Sequence, residues 1–174
     1  MYNKERNRRR VRSTAMLGMC TALALILSYL ELLIPPIYAA VPGIKMGLAN
    51  IVIVFLLYRA SAPRAAAVSL VRVLLVSALF GNMMALAYSA AGAALSLSVM
   101  ILLKRTGWLS AVGVSVAGAV FHNLGQVLMA MLLLGTAELG YYLIVLTVTG
   151  TLSGILIGIA GGIAVDRVPG RLFG

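Results

Sequence analysis

Apolar residues along this chain fall into long blocks, separated by short breaks of proline, glycine, asparagine and charged residues. A helix of about 20 apolar residues is long enough to cross the roughly 30 Å hydrocarbon core of a bilayer. The pattern therefore predicts an all-α polytopic membrane protein, a bundle of six transmembrane helices. The predicted helices cover approximately residues 13–34, 46–58, 63–80, 84–103, 108–134 and 141–165.

The breaks between the blocks carry residues that end helices. Pro35 and Pro36 end the first block, and the three prolines and one glycine of residues 35–45 predict an irregular loop. The first apolar run, 14–34, has 21 residues. It is longer than the core of a cleaved signal peptide, so it is predicted to be a span. The second block is short for a full span.

Composition narrows the class of protein. The chain is 62% hydrophobic and 10% charged, with a mean hydropathy of +1.06, whereas soluble domains have about 45–50% apolar and about 25% charged residues. A soluble enzyme, a disordered tail and a disulfide scaffold are excluded. Cys20 is the single cysteine, His122 the single histidine, and the four acids are never closer than 26 positions. No metal site and no cofactor are therefore expected.

Charge predicts the topology. There are 14 Lys and Arg residues against 4 Asp and Glu residues. With six spans, Lys45 falls outside and Arg72 within a span, and the other cations fall on the side of the termini. The positive-inside rule then predicts a multi-pass cell-membrane protein with both termini in the cytoplasm. The predicted units are a basic segment 1–12, a transmembrane domain 13–165 and a tail 166–174. A basic segment next to a span indicates anionic lipid and not nucleic acid as its partner.

Small residues recur at helical spacing in two spans. The sixth has a glycine at every fourth position, which predicts close helix packing: Gly150, Gly154, Gly158 and Gly162. The first has Thr14, Gly18 and Ala22 at the same spacing. Such a stripe serves either packing within the protein or docking of a partner membrane protein, and both interpretations stay open for the first span.

Arg72 is the most informative polar residue, because it lies near the middle of the third predicted span. An arginine at the centre of a bilayer costs about 2.5–3.5 kcal/mol even on the lenient insertion scale. It must therefore face an internal cavity, a carboxylate or an anionic ligand. Glu31, near the outer end of the first span, is the one acid within a predicted span. Structural pairing with Glu31 and capture of a ligand are both open.

A second polar group lies in the fifth span, where His122, Asn123 and Gln126 are predicted to point to one side of the helix. They either hydrogen-bond to a neighbouring helix or line a cavity. With other polar residues of the outer half, they predict an outward-facing cavity for a small anionic or amphipathic ligand. The predicted binding residues are Glu31, Lys45, Asn50, Arg72, Asn82, Tyr88, His122, Asn123 and Gln126.

Four strings of residues carry a resemblance to a known family: Pro42–Asn50, Ser69–Leu75, Tyr88–Gly92 and His122–Gln126. They resemble the bacterial Gx transporters, a family also labelled heptaprenyl diphosphate synthase component I. The resemblance runs from about Thr14 to Gly162. It implies a likeness to the substrate-binding S components of energy-coupling-factor importers, which rely on a shared membrane scaffold and two ATPase subunits. By this resemblance, Thr14, Gly18 and Ala22 would dock on that scaffold.

The synthase label implies a different role. A prenyl diphosphate synthase holds magnesium with clustered aspartates, which this sequence lacks. If the label applies, the chain would be a non-catalytic accessory partner of a separate soluble prenyl synthase. A membrane enzyme using His122 ranks last, because no acid lies nearby in the sequence. The sequence thus predicts a binding protein and not an enzyme, with the bilayer, a small ligand and one of these two protein assemblies as partners.

Overall fold

The computed structural model describes residues 2–33, 47–169 and 173, and within these ranges the regular structure is all helical. The predicted all-α class is confirmed. The elements are α1 (Tyr2–Leu33), α2 (Asn50–Arg59), α3 (Ala62–Phe80), α4 (Met83–Thr106), α5 (Ala111–Leu134), a 3-10 helix (Ala137–Tyr141) and α6 (Tyr142–Arg167). Five helices in the described ranges, all except α2, are long and apolar enough to cross a membrane. The predicted loop 35–45 lies outside the described residues.

Two helix starts differ from the predicted ones. The basic N-terminal segment continues α1 down to Tyr2, because arginine, lysine and glutamate are themselves good helix formers. Helix α2 begins at Asn50 and not near residue 46. It follows a turn at Gly47, whose φ of 83° lies in the left-handed region that favours glycine.

The short helix α2 forms the centre of one half of the bundle. It packs against α3 and α6 and also contacts α1, and every residue from Val52 to Leu57 is buried. Its ten residues span about 15 Å, half of the hydrocarbon thickness. Helix α2 therefore fills only half the depth of the interior and ends, at its N-terminus, inside the bundle.

Three cations cap carbonyl groups at one end of the bundle, which we call the basic end. The bonds run from Arg59 to the Val165 carbonyl, from Arg64 to the Phe173 carbonyl and from Lys104 to the Leu57 carbonyl. The last carbonyls of a helix have no partner within the helix and attract cations. Phe173, 1% exposed, packs against Phe55 at the same end, with ring centroids 5.9 Å apart. The C-terminal ends of α2, α4 and α6 thus lie together.

Glycines bring α6 into close contact with its neighbours. A Cβ added to Gly154 would lie 2.6 Å from the Val116 Cα on α5, and one on Gly158 would lie 2.7 Å from the Val112 Cα. A Cβ on Gly150 would lie 2.8 Å from Asn123 Nδ2. The fourth predicted glycine, Gly162, differs, since a Cβ there would meet nothing within 4 Å. Its neighbour Gly161 packs on α2 instead.

The α4–α5 contact uses glycines that the sequence analysis does not single out. A Cβ on Gly92 would lie 2.8 Å from the His122 carbonyl, and one on Gly125 would lie 2.8 Å from the Ala91 carbonyl. Helix α5 therefore sits between α4 and α6 with little space on either side. The stripe of small residues on α1 behaves differently, because its members are exposed: Thr14, Gly18 and Ala22.

Candidate functional site

A small polar cavity lies beside the N-terminus of α2, at about half the length of α3. Its walls come from α1, α3, α4, α5 and the turn before α2: Ser28, Glu31, Gly47, Arg72, Val73, Val76, Ser77, Ser89 and His122. Its volume is about 20 Å³, enough for one or two water molecules. Three residues predicted from the sequence, on three different helices, therefore meet around one space.

Arg72 lies on the α3 wall of this cavity. It is only 8% exposed, and its Nε has no hydrogen-bond partner among the described residues. Lipid exposure of this side chain, which the sequence analysis excludes on energetic grounds, is thus not found. The carboxylate of Glu31 acts on the guanidinium by Coulomb attraction. A buried cation with an unused donor in a polar cavity is a place where an anion or water is stabilised.

Glu31 faces Arg72 from α1 and is 7% exposed. Its Oε1 accepts a hydrogen bond from the backbone N–H of Gly47, in the turn that leads into α2. The Glu31 carboxylate is therefore a negative charge held between the Arg72 guanidinium and the backbone N–H of Gly47.

The three polar residues predicted on α5 face two different neighbouring helices. His122 lines the cavity, and Gln126 is buried on the same side, where both pack against Gly92 of α4. Asn123 points the other way, and its Nδ2 donates a 2.9 Å hydrogen bond to the Leu146 carbonyl of α6. The helical spacing in the sequence predicts all three on one side of the helix. The structure separates Asn123, since successive residues of a helix point about 100° apart.

The other predicted site residues are dispersed. Asn50 is buried at the start of α2, next to Gly47. Asn82 is exposed and caps α4 by accepting a 2.8 Å hydrogen bond from the Ala85 N–H. Tyr88 is half-buried and lies outside the cavity wall. Lys45 lies outside the described residues.

Serines are the polar wall residues that the sequence analysis does not identify. Ser28, Ser77 and Ser89 contribute hydroxyl groups from α1, α3 and α4. Ser28 precedes Glu31 by three positions, so the helical spacing places both on one face, and this signal is present in the sequence. No comparable spacing connects Ser77 or Ser89 to a charged residue. The wall carries no group of three metal-binding side chains, and none occurs elsewhere among the described residues.

The fold and the cavity define a class of protein: a helical bundle of membrane-spanning character with a charged, water-sized cavity in its interior. Comparison with protein families then supplies a more specific assignment. Residues 20–163 match the family of heptaprenyl diphosphate synthase component I, and the chain belongs to that family. The predicted family resemblance is confirmed under this label. No curated protein and no solved structure matches the chain significantly.

Proposed function

We propose that this protein is a membrane-embedded binding subunit that captures the anionic group of a small amphipathic ligand at Arg72. The observation that carries the proposal is the buried guanidinium with an unpartnered Nε on the wall of a polar cavity. Such a group is costly inside a membrane protein and is typical of a substrate or ion pathway. The cavity opens toward the cell exterior in this proposal, because the sequence predicts that most polar residues within the spans lie in their outer half.

The size of the cavity limits what enters it. A volume of about 20 Å³ accommodates water, whereas pockets for drug-sized ligands measure about 300–1,000 Å³. The cavity therefore receives only the anionic head of the ligand, and its walls must move apart to admit a group larger than water. The apolar body of the ligand lies outside the cavity, along the apolar helix surfaces.

Farnesyl diphosphate is a suitable probe, because it joins a diphosphate to an apolar chain and the family name refers to prenyl diphosphates. Farnesol, which has the same chain without the charge, and inorganic diphosphate separate the two contributions. We expect farnesyl diphosphate to raise the melting temperature of the purified protein. A ligand at 100 times its Kd stabilises the folded state by about 2.7 kcal/mol.

Arg72→Ala tests whether this stabilisation depends on the guanidinium. The matched control is Arg105→Ala, which removes an exposed cation at the end of α4. The proposal expects loss of the farnesyl diphosphate effect in Arg72→Ala only. Equal melting temperatures with and without every probe, or equal stabilisation of both variants, would contradict it.

A transport role requires partners, and the exposed stripe on α1 is the proposed contact with an importer scaffold that carries ATPase subunits. A Cβ on Gly18 would meet nothing within 4 Å, so Gly18→Leu adds bulk to this surface without disturbing the bundle. If the stripe docks on a scaffold, Gly18→Leu reduces co-purification of a membrane scaffold and its ATPases but leaves the effect of farnesyl diphosphate intact. Recovery of no such assembly with the unaltered protein removes this role.

A second candidate function follows from the family match. The name component I implies another component, and the chain would then anchor a soluble prenyl synthase to the membrane without catalysing the reaction itself. Crosslinking followed by co-purification tests this role. Recovery of a prenyl synthase that persists in Arg72→Ala supports the anchoring role, and failure to recover one after crosslinking contradicts it.

A further inference from the structure

The anion site at Arg72 already contains an anion that belongs to the protein. The Glu31 carboxylate lines the same cavity as Arg72 and attracts its guanidinium. It also accepts a hydrogen bond from the Gly47 N–H, in the turn before α2. The proposed function assigns the same Arg72 guanidinium to an incoming ligand. The carboxylate and a bound anion would therefore compete for the same guanidinium in a cavity of about 20 Å³.

We infer that Glu31 takes up a proton when an anionic ligand binds, so that anion binding at this site is coupled to protons. Two anions beside one cation in a space of low dielectric constant repel each other strongly. Protonation of Glu31 removes that repulsion and leaves the Arg72 charge to the ligand. The proton comes from hydronium in the surrounding water: one O–H bond forms on the Glu31 carboxyl group, one O–H bond breaks in hydronium, and no other covalent bond changes. The inference rests on the proposed function, since it assumes that an anion binds at Arg72.

The other groups around the cavity define the alternatives. Among the described wall residues, Glu31 on α1, Arg72 on α3 and His122 on α5 are charged or titratable, whereas α4 and the turn before α2 contribute Ser89 and Gly47. Protonation of His122 would also favour an anion at low pH. The experiment must therefore distinguish Glu31 from His122.

The test measures the Kd of farnesyl diphosphate as a function of pH for the full-length protein in detergent. For the unaltered protein, the affinity for farnesyl diphosphate falls by about tenfold for each unit that the pH rises, over the range in which Glu31 must take up the proton. Reciprocity requires that ligand binding raises the proton affinity of Glu31 by the same factor. Glu31→Gln keeps an oxygen that can accept a hydrogen bond from the Gly47 N–H. The affinity of this variant for farnesyl diphosphate stays high and lacks the pH dependence that Glu31 causes. Its profile also measures the contribution of the titration of the probe itself.

Two further variants complete the design. His122→Gln should retain the pH dependence of the unaltered protein, and Glu138→Gln, which neutralises an exposed acid of the 3-10 helix, should also retain it. In the absence of probe, Glu31→Gln leaves Arg72 without its counter-charge. It should therefore melt at a lower temperature and gain more from farnesyl diphosphate than the unaltered protein does.

The outcomes separate this inference from the function on which it rests. If the pH profile is the same in the unaltered protein and in Glu31→Gln, or disappears only in His122→Gln, coupling through Glu31 is wrong and binding at Arg72 stands. If farnesyl diphosphate binds neither the unaltered protein nor Glu31→Gln at any pH, the proposed function is wrong and the inference is wrong with it.

Discussion

Replacing Gly154 by alanine tests the packing that holds α6 against α5. The added Cβ would lie 2.6 Å from the Val116 Cα, 3.1 Å from the Ala119 Cβ and 3.2 Å from the Ser115 carbonyl oxygen. Favourable separations between carbon atoms are about 3.5–4.0 Å, so the two helices must move apart by about 1 Å. Two of the three neighbours are backbone atoms, which cannot rotate away. We expect the free energy of unfolding to fall by about 1–3 kcal/mol, as in other overpacked cores.

Gly162→Ala is the matched control, because it makes the same chemical change in the same helix where a Cβ meets nothing within 4 Å. Both substitutions bring the same helix propensity, so the difference between them isolates the contact with α5. For a chain of this size, 1–3 kcal/mol corresponds to a decrease in the melting temperature of about 2–12 °C. Thermal unfolding of both proteins in the same detergent gives the comparison. Equal melting temperatures would refute the close packing of Gly154 against α5.

Three further predictions concern the site and the basic end. In a double-mutant cycle, Glu31→Gln and Arg72→Met should each lower the free energy of unfolding, because each leaves a buried charge without its partner. The double variant should lose at least about 0.5 kcal/mol less than the sum of the two single losses. Additive losses in thermal unfolding would contradict the pairing. Asn123→Ala removes the bond to the Leu146 carbonyl and should cost about 0.6–1.7 kcal/mol by thermal unfolding; no loss would show that this bond does not hold α5 to α6. Phe173→Ala should cost about 3 kcal/mol by the same measurement, since the side chain is 1% exposed; an unchanged melting temperature would contradict its burial.

Much of the helical architecture could be predicted from the sequence. The predicted limits of the third to sixth helices lie within a few residues of α3–α6, because Gly81, Asn82 and Gly107 interrupt long apolar blocks and then cap helices. The start of α1 was harder to predict, since charge marked residues 1–12 as a separate segment although their intrinsic preference is helical. The start of α2 depended on the backbone conformation at Gly47, which the apolar pattern does not record.

The candidate site could be predicted only in part. The high cost of a buried guanidinium singled out Arg72 without any structural information. Pairing of Arg72 with Glu31 stayed one of two open alternatives, because the relative depth of α1 and α3 depends on how the helices tilt and pack. Ser28 could have been found from its spacing to Glu31. The opposite direction of Asn123 shows that spacing alone does not identify the neighbouring helix for each polar residue, since Asn123 bonds to α6 whereas His122 packs against α4.

The central claim is that the cavity beside Arg72 is reached from outside the cell and receives an anion. Cys20 is the single cysteine, so Ser77→Cys in a Cys20→Ala background places one thiol on the cavity wall. We predict that a membrane-impermeant thiol reagent applied outside labels this cysteine, and that farnesyl diphosphate slows the labelling whereas farnesol does not. Ser115→Cys, buried outside the cavity wall, is the control and should stay unlabelled. Absence of labelling in the Ser77→Cys variant, or labelling that farnesyl diphosphate does not slow, would contradict the claim.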